Sequence, residues 1–378
     1  MGSTYHGPDA YAYGDGKYLD EMDWAIFEGL TCIELTEGER LLATTPGMVD
    51  VSDRNVMALH FHPEWVPIGM IDERLRKAFP NAKGRLAIPT QHNIIQGLDS
   101  FSGVEADVFC PECGAKLQFL IHLKSHRLNK PTAFASMIER TFRYRALQLL
   151  DILHELIEPG KCMAEESDRL GFDITTAAIA RIYASKLLLL IEKSGIVGTL
   201  RAGMLKNRLL TDFICKRAMG FGKRETERLL EYVNRMKKLV KARLDPDRFH
   251  TPKELIEEAR SLGAGVVIPH PPRFWPALLC DLDVDGWEVW NPSTPDHVMF
   301  LIDCLGRRKP GKREPLAFMG DDTHMSAKIR PETLAKKISD QTEIGFQPPW
   351  DQAEVQAALK AAGQSRERTL NEYLERIS

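Results

Sequence analysis

The chain has 378 residues, of which 43% are hydrophobic and 27% charged; this is the composition of a folded globular protein and excludes a disordered or fibrous one. Its 50 Lys and Arg residues against 53 Asp and Glu residues give a formal net charge of −3, which excludes an overall basic field for nucleic acids or anionic membranes. A chain of this length is expected to form two domains, or one large α/β barrel that carries an insertion.

The cysteines and the apolar runs are the sequence features that bear on the cellular location of the protein. Seven cysteines, an odd number, occur in a chain with a polar start and no recognisable secretory leader, which predicts reduced thiols. The longest apolar run, residues 187–191, is far shorter than the ~20 residues that span a bilayer. We therefore expect a cytoplasmic protein with no membrane partner.

In chain order, the sequence divides into five segments. Residues 1–50 open with a polar, Gly- and Tyr-rich stretch and are predicted to form an N-terminal arm. Residues 51–130 and 251–330 alternate short apolar runs with helical segments, the pattern of a barrel or layered α/β domain. Residues 131–250 carry apolar side chains at three- and four-residue spacing and are predicted to form an all-helical insertion. Residues 331–378 are predicted to be a polar helical tail.

The sequence predicts where the helical insertion ends and the next helix begins. Asp245-Pro246 breaks the helical pattern, and a new helix is predicted to begin just after Thr251. Thr251 can cap this helix, Pro252 fits its first position, and Glu254 can complete a capping box.

The insertion is also strongly basic. Residues 201–248 contain fourteen Lys and Arg residues against six Asp and Glu residues, an excess of eight positive charges that leaves −11 for the rest of the chain. Two interpretations are open: a solvated helix face with internal ion pairs, or a face that contacts a polyanion such as an oligonucleotide. In the second case we expect the insertion to lie over the barrel rim and to help select the substrate.

Histidines and carboxylates cluster at the ends of the apolar runs. Because residues i and i+2 of a strand point to the same face, His60 and His62 are predicted to face the same way, as are Asp322 and His324. His92, His122 and His270 close or nearly close three further runs. Strand ends form the active-site rim of α/β barrels, and converging imidazoles and carboxylates suit zinc, iron or manganese. The alternative is that each histidine is a half-buried polar cap, but their number favours a metal site.

The order of these motifs resembles the polymerase and histidinol phosphatase (PHP) superfamily. Seven short motifs occur in the family's order: LHFH (59–62), TQHN (90–93), GVE (103–105), FLIH (119–122), IPHP (268–271), GWEVWN (286–291) and GDDTH (320–324). The resemblance implies a distorted (β/α)7 barrel, here interrupted by the helical insertion, with two or three divalent ions (Zn, Mn or Fe) at its rim. The metal ligands that it implies are His60, His62, His92, Glu105, His122, His270, Asp322 and His324. Among these ligands, Glu105 suits a bridging position, because its two oxygens can be shared between cations.

Two positions depart from the family pattern. Gln91 stands where the family usually has Asp. A few residues past His62, where the family often supplies another ligand, the nearest candidates are Glu64 and Asp72.

The metal set and the resemblance together predict a metal-dependent phosphoesterase of the phosphatase or exonuclease type. A metal-bound hydroxide would attack phosphorus, with no protein nucleophile, on a phosphorylated small molecule or an oligonucleotide. Arg273 and Asn291 are the candidate substrate contacts, and Arg273 could bind phosphate in bidentate fashion. One alternative is a non-catalytic PHP-like module whose basic insertion binds nucleic acid or a partner protein. Another is hydrolysis of a C–N bond at a similar metal centre.

A second, local signal is the pair Cys110 and Cys113 in the stretch CPECG. With His122 and His126 it gives C-x2-C-x8-H-x3-H, although structural zinc fingers use a longer spacer between the two pairs. The segment is also typical of a β-hairpin with its turn at the cysteines. A thiol pair in the turn and a separate zinc site are both open, and zinc binding through His122 would remove that residue from the PHP set.

Overall fold

The structure is a computed structural model, and it describes residues 16–47, 54–160, 165, 169, 171–197, 199–218, 221–243, 245–273, 275–280, 282–307, 313–330 and 342–378. Part of the predicted N-terminal arm (1–15 and 48–50) and the first part of the predicted tail (331–341) therefore lie outside the described residues.

The strands in the described residues are short, apart from one long hairpin. They are β1 (Asn55–Ala58), β2 (Phe61–His62), β3 (Gly84–Ala87), β4 (Gln96–Leu98), β5 (Phe101–Cys110), β6 (Ala115–Lys124), β7 (Gly265–Ile268), β8 (Gly286–Trp290), β9 (Leu316–Met319) and β10 (Thr323–His324).

The α-helices of the described residues dominate the middle and the end of the chain. They are α1 (Glu21–Thr31), α2 (Glu37–Thr44), α3 (Ile68–Ala78), α4 (Ala133–Ile157), α5 (Ile174–Ser194), α6 (Leu209–Arg217), α7 (Lys223–Ala242), α8 (Pro252–Ser261), α9 (Pro276–Leu279), α10 (Val298–Arg307), α11 (Met325–Ile329), α12 (Ala353–Ala361) and α13 (Arg366–Arg376). The start of α8 agrees with the sequence, because Thr251 and Glu254 form the reciprocal hydrogen bonds of a capping box.

The chain divides into two compact units, one of residues 1–34 and 143–245 and the other of residues 35–142 and 246–378. The predicted helical insertion thus corresponds to a unit that starts at 143 rather than 131 and that also takes in helix α1 from the predicted arm. Helix α1 belongs there because Phe27 is fully buried in the core of that unit. Similarly, the predicted tail is not peripheral, since Tyr373 of α13 is fully buried in the core of the second unit.

The strands of the second unit form three sheets in the described residues: a six-stranded sheet in the order β4-β5-β6-β7-β8-β9 and two pairs, β1-β3 and β2-β10. β7, β8 and β9 are parallel, whereas β4 to β7 pair antiparallel. The prediction of a mixed α/β fold is confirmed, but the described residues do not form a closed (β/α)7 barrel. The reason lies partly in the β5–β6 hairpin, because two strands joined by a tight turn must run antiparallel.

The core of the second unit surrounds the six-stranded sheet. Val104 and Phe119 of the hairpin, Val266 of β7, Val289 of β8 and Ala317 of β9 are all fully buried in it. Every residue of β7, β8 and β9 is buried and nearly all of them are apolar, as in sheets covered on both faces. The buried polar residues in these strands are therefore the ones that need an explanation.

The helical unit has its own hydrophobic core. One cluster packs four helices together through Phe27 of α1, Leu187 of α5, Phe213 of α6 and Val233 of α7.

Helix α5 is the one described helix that is long and apolar enough to cross a membrane. The mean hydropathy of its most apolar window is 1.6, and 44% of that window is buried. A core helix of a soluble protein passes the same test, so this is weak evidence for a membrane span.

Candidate metal centre

Seven of the eight side chains that the sequence predicts as metal ligands lie together in the second unit. We call this group the histidine centre: His60, His62, His92, Glu105, His270, Asp322 and His324. The strands bring them together, because β2 and β10 pair His62 with His324 and an isolated bridge pairs His92 with Glu105. The remaining members follow strands β1, β7 and β9 within a few residues.

Glu105 lies in the middle of the group and is 1% exposed. Its Oε1 is 3.4 Å from Nε2 of His270 and 3.9 Å from Nε2 of His60. Its Oε2 is 3.8 Å from Nε2 of His62 and also contacts Nδ1 of His92. Each oxygen of this one carboxylate therefore faces a different pair of imidazoles.

Asp322 forms a second point of convergence. Its Oδ1 is 3.2 Å from Nε2 of His62, 3.5 Å from Nε2 of His60 and 3.6 Å from Nε2 of His324. The backbone N–H of Asp322 donates to the carbonyl of His60 at 2.8 Å, which ties the segment after β9 to the segment after β1.

Several residues around the histidine centre have a positive φ, a backbone conformation that residues other than glycine rarely adopt. Among the described non-glycine residues with positive φ are Glu64 (56°), Asn93 (52°), His270 (30°) and Asp322 (49°). Such residues cost about 1–3 kcal/mol each and persist only where the surrounding structure enforces them. The surrounding structure therefore holds these four residues against the local backbone preference.

The imidazole of His62 lies between two others. Its ring centroid is 4.3 Å from that of His92 and 4.2 Å from that of His324, with interplanar angles of 23° and 17°. His62 is fully buried, whereas the side chains of His92 and His324 are 41% and 22% exposed. The outer two rings thus form the solvent-facing side of the centre.

Glu288 orients His60, a role that the sequence did not assign to it. Nδ1 of His60 lies 2.7 Å from Oε1 of Glu288, while Oε2 of Glu288 accepts hydrogen bonds from the backbone N–H of His270 and from Nδ2 of Asn291. With the proton on Nδ1, the lone pair of Nε2 points into the histidine centre, as in carboxylate–histidine–metal arrangements. The available signal was a glutamate within β8, which is otherwise apolar and fully buried.

Neighbouring carboxylates control the pKa of His60, and neighbouring imidazoles control that of Glu105. Burial lowers the pKa of His60, but the carboxylates of Glu288, Asp322 and Glu105 outweigh it and raise that pKa to about 10. Burial also raises the pKa of Glu105, but the imidazoles around it outweigh this effect and hold the pKa well below its ordinary value. Glu105 thus remains ionised and favours a positive charge next to it, a charge that a metal cation can supply in place of a proton.

The residues present fit a divalent metal ion. Nε2 of His60 and Oε1 of Glu105 are buried and make no hydrogen bond. Tetrahedral zinc with bonds of about 2.1 Å separates neighbouring ligand atoms by about 3.4 Å, close to the 3.2–3.9 Å observed between the imidazole nitrogens and the carboxylate oxygens of the centre. Imidazole and carboxylate ligands suit zinc, iron and manganese.

The assignment of His122 as a metal ligand is wrong. Its Nε2 donates to the carbonyl of Leu59 at 2.9 Å, so its Nδ1 accepts from the hydroxyl of Tyr373 at 2.6 Å. Burial lowers the pKa of His122 to about 3, which agrees with a neutral ring whose two nitrogens both bind protein groups. The sequence could not show this, because Tyr373 lies 251 positions further along the chain.

The candidate substrate contacts differ in their placement. Arg273 is exposed on a short 3-10 helix that directly follows His270. Asn291 is 1% exposed; its Nδ2 donates to Glu288 and its Oδ1 accepts from the backbone and hydroxyl of Ser293. The amide of Asn291 thus positions Glu288, and its contact with substrate stays a prediction.

The two departures from the family pattern are linked. Oε1 of Gln91 accepts a hydrogen bond from the backbone N–H of Glu64 at 3.0 Å, and Oε1 of Glu64 lies 3.7 Å from Nδ1 of His324. Gln91 therefore holds the turn that brings Glu64 to the edge of the histidine centre. Asp72 instead pairs with Arg76 along helix α3.

The sequence left Asp321 without a role. Its carboxylate accepts hydrogen bonds from the backbone N–H groups of Gly345 and Thr323.

The two cysteines of the CPECG stretch lie at the hairpin turn and form a disulfide, against the expectation of reduced thiols. In the hairpin, Cys110 pairs with Ala115 and His122 pairs with Gly103, seven residues away from the turn. At about 3.4 Å per residue, His122 is too far from the cysteines to share a metal ion with them. Zinc binding through His122 is therefore excluded.

Ion pairs engage much of the positive charge of residues 201–248. Seven of its basic residues contact carboxylates within the helical unit, and several partners lie outside the basic stretch: Arg201–Glu28, Arg208–Asp212, Arg217–Asp23, Lys223–Glu227, Arg228–Asp173, Arg235–Glu231 and Arg243–Glu155. The local excess of charge is therefore smaller in the folded unit than in the sequence.

Comparison with known proteins adds little to this geometry. No protein-family model and no curated protein sequence matches the chain. Among solved structures, the chain is similar to a Bifidobacterium adolescentis protein named "putative metal-dependent phosphoesterase", with 14% identity over 78% of this chain and 94% of that one and a TM-score of 0.40. A TM-score this low supports no conclusion about the fold or the function of this chain.

Proposed function

We propose that this protein is a metal-dependent phosphoesterase that binds at least two divalent cations at the histidine centre. The observation that carries the proposal is the position of Glu105, whose Oε1 faces His60 and His270 while its Oε2 faces His62 and His92. A carboxylate with each oxygen directed at a different imidazole pair is suited to bridge two cations.

Two groups of ligands support two cation positions. Ligand atoms of His60, His270 and Asp322 lie within 4.8 Å of one another, and so do those of His62, His92 and His324. Either group, completed by one oxygen of Glu105, offers four donors of the kind that zinc, manganese and iron accept.

The chemistry divides between the cations and the protein. Divalent cations bound there supply Lewis acidity, which lowers the pKa of water and stabilises charge on a phosphoryl group. Glu288 keeps the proton of His60 on Nδ1, and the ring stack holds His62 against rotation. Arg273, exposed beside His270, is proposed to bind phosphate oxygens through its two-pronged guanidinium. No protein nucleophile is proposed.

The choice of phosphoesters rests on the resemblance to the PHP superfamily. Six of its seven motifs contribute a side chain to the histidine centre or to the hydrogen bonds that orient it; the exception is the FLIH motif with His122. We propose that the three sheets correspond to a distorted (β/α)7 barrel. The β2–β10 pair supports this proposal because it sets the segment after β1 beside the segment after β9, and the bridge between His92 and Glu105 sets the segment after β3 beside β5.

A second candidate is a non-catalytic PHP-like module in which the cations hold the barrel rim together. Gln91 favours it, because its amide binds the backbone of Glu64 where the family usually has a carboxylate. In that case the basic residues 201–248 would bind nucleic acid or a partner protein.

Metal content and hydrolysis together distinguish the candidates. Purified protein would be analysed for Zn, Mn and Fe, stripped with a chelator, and assayed with each ion on an aryl phosphate, a short oligonucleotide and an amide. We expect two or more ions per chain and phosphoester hydrolysis that is lost on stripping and restored by metal. Metal binding without any hydrolysis would support the module, and hydrolysis of the amide alone would support C–N bond chemistry.

Variants locate the activity. His60→Ala and Glu105→Gln are expected to lower hydrolysis at least a hundredfold and to release metal, because each removes a ligand and leaves other charges unpaired. His154→Ala, an exposed histidine of the helical unit, is the matched control and is expected to behave as wild type. If His60→Ala hydrolysed phosphoesters at the wild-type rate, the histidine centre would not be the active site.

A further inference from the structure

A second cluster of potential metal ligands lies at the other end of strand β5. Cys110 ends this strand, Cys113 lies in the hairpin turn, and Cys280 follows helix α9, 167 positions further along the chain than Cys113. The Sγ atom of Cys280 is 3.5 Å from that of Cys113 and 3.9 Å from that of Cys110. We call these three residues the cysteine cluster.

We propose that the cysteine cluster, in its reduced form, binds one zinc-class ion that is distinct from the ions of the histidine centre. Cys110 lies five positions after Glu105 along an extended strand, which corresponds to about 17 Å. The two sites therefore cannot share an ion. This proposal does not depend on the activity proposed for the histidine centre.

Two of the three sulfur pairs lie at separations that fit a thiolate site, and the third pair, Cys110 with Cys113, is held by the disulfide until it is reduced. Zinc–sulfur bonds of about 2.3 Å in a tetrahedron place neighbouring sulfurs about 3.8 Å apart, close to both distances from Cys280. The turn is short enough to present two thiolates side by side because Gly114 takes a positive φ of 59°. A single ion there would join the hairpin turn to the segment after α9.

A fourth ligand and a route for the ion are both present. Oε2 of Glu112 is 3.4 Å from Sγ of Cys110, and a carboxylate oxygen completes a site of three thiolates. Glu112, Cys113 and Cys280 line a surface cavity, so an ion can reach the sulfurs from solvent. The cavity also contains Lys253 and Arg260, whose charges are engaged by Glu257 and by Asp283 and Asp285.

Metal binding at the cysteine cluster is coupled to redox state. The disulfide between Cys110 and Cys113 takes up two electrons and two protons from two monothiol molecules, which leave as their own disulfide. The ion then displaces the protons of the three thiols and binds three thiolates. The site is therefore open to metal only in a reducing environment.

Cobalt(II) provides a test that separates the two sites. In the full-length protein treated with a monothiol reductant and then freed of it, we expect Co²⁺ to give the near-ultraviolet absorption of thiolate-to-cobalt charge transfer, which histidine and carboxylate ligands do not give. Protein left in the disulfide state is expected to lack this absorption.

Substitutions assign the ligands. Cys280→Ser is expected to lower cobalt affinity at the cysteine cluster at least tenfold and to weaken the charge-transfer band, and Cys113→Ser is expected to do the same. Cys304→Ser, a half-buried cysteine of α10, is the control and should keep the band and the affinity. Metal-dependent activity at the histidine centre is expected to survive Cys280→Ser.

Two results would overturn the proposal. One is the absence of the charge-transfer band in reduced wild-type protein. The other is a band of unchanged intensity in both Cys280→Ser and Cys113→Ser.

Discussion

Replacing Glu288 by glutamine tests whether a carboxylate buried behind the histidine centre controls its metal affinity. Glu288 accepts three hydrogen bonds, from Nδ1 of His60, from the backbone N–H of His270 and from Nδ2 of Asn291. Glutamine has nearly the same shape but only one acceptor oxygen, so it cannot satisfy all three donors.

Either orientation of the new amide disturbs the centre. If its oxygen faces His270 and Asn291, its NH₂ group faces Nδ1 of His60; this moves the proton of the ring to Nε2 and blocks the nitrogen that points at the cations. If its oxygen faces His60, the NH₂ group meets the two donors of His270 and Asn291. A hydrogen bond to a charged group contributes about 1.5–3 kcal/mol, and at least one such contact is lost in either case.

The expected loss of metal affinity is therefore about 10- to 100-fold, or about 1.4–2.7 kcal/mol. Calorimetric titration of stripped protein with Mn²⁺ measures it, because Mn²⁺ prefers oxygen and imidazole ligands and avoids the cysteine cluster. Glu354→Gln, an exposed glutamate of α12, is the matched control. If Glu288→Gln bound Mn²⁺ as tightly as wild type, Glu288 would not orient a metal ligand, and the role of His60 would have to be revised.

Three further predictions concern the packing around the centre and the helical unit. Gly320→Ala should weaken Mn²⁺ binding at least as strongly as Glu288→Gln, because a methyl group at position 320 would overlap the carboxylate of Glu288; calorimetry with unchanged affinity would contradict this. Asp23→Asn should destabilise the protein by about 3–5 kcal/mol in urea unfolding, since Asp23 is fully buried with its oxygens 2.6 Å from Nζ of Lys186 and 2.8 Å from Nε of Arg217. Burial raises the pKa of Asp23, but these two basic groups outweigh burial and hold the pKa below its ordinary value. In wild type the stabilisation by this ion pair is therefore complete at neutral pH and is lost as the pH falls through the depressed pKa. If Asp23→Asn unfolded in acid as wild type does, the ion pair would not contribute to stability. Removing metal with a chelator should lower the Tm of the wild-type protein and leave that of Glu105→Gln almost unchanged, and equal shifts in both would show that the stabilising metal binds elsewhere.

The sequence alone predicted the seven side chains that the fold brings together in the histidine centre, and their role as metal ligands stays a prediction. Histidines and carboxylates at the ends of apolar runs indicated this group, and His60 and His62 lie in it together although His60 falls between β1 and β2 rather than within a strand. The β5–β6 hairpin and the capping box at Thr251 were likewise predictable, because turn chemistry and helix capping act over a few residues.

Only the tertiary structure decided which polar residues face into the histidine centre and which support it from behind. His122 and Glu288 both lie within apolar strands, and nothing local distinguishes them from ligands or from core residues. Their roles depend on contacts across 251 and 228 positions of sequence, with Tyr373 and His60. Cys280 joins the cysteine cluster for the same reason, because the packing of distant segments fixes which thiols meet and no spacing pattern records it.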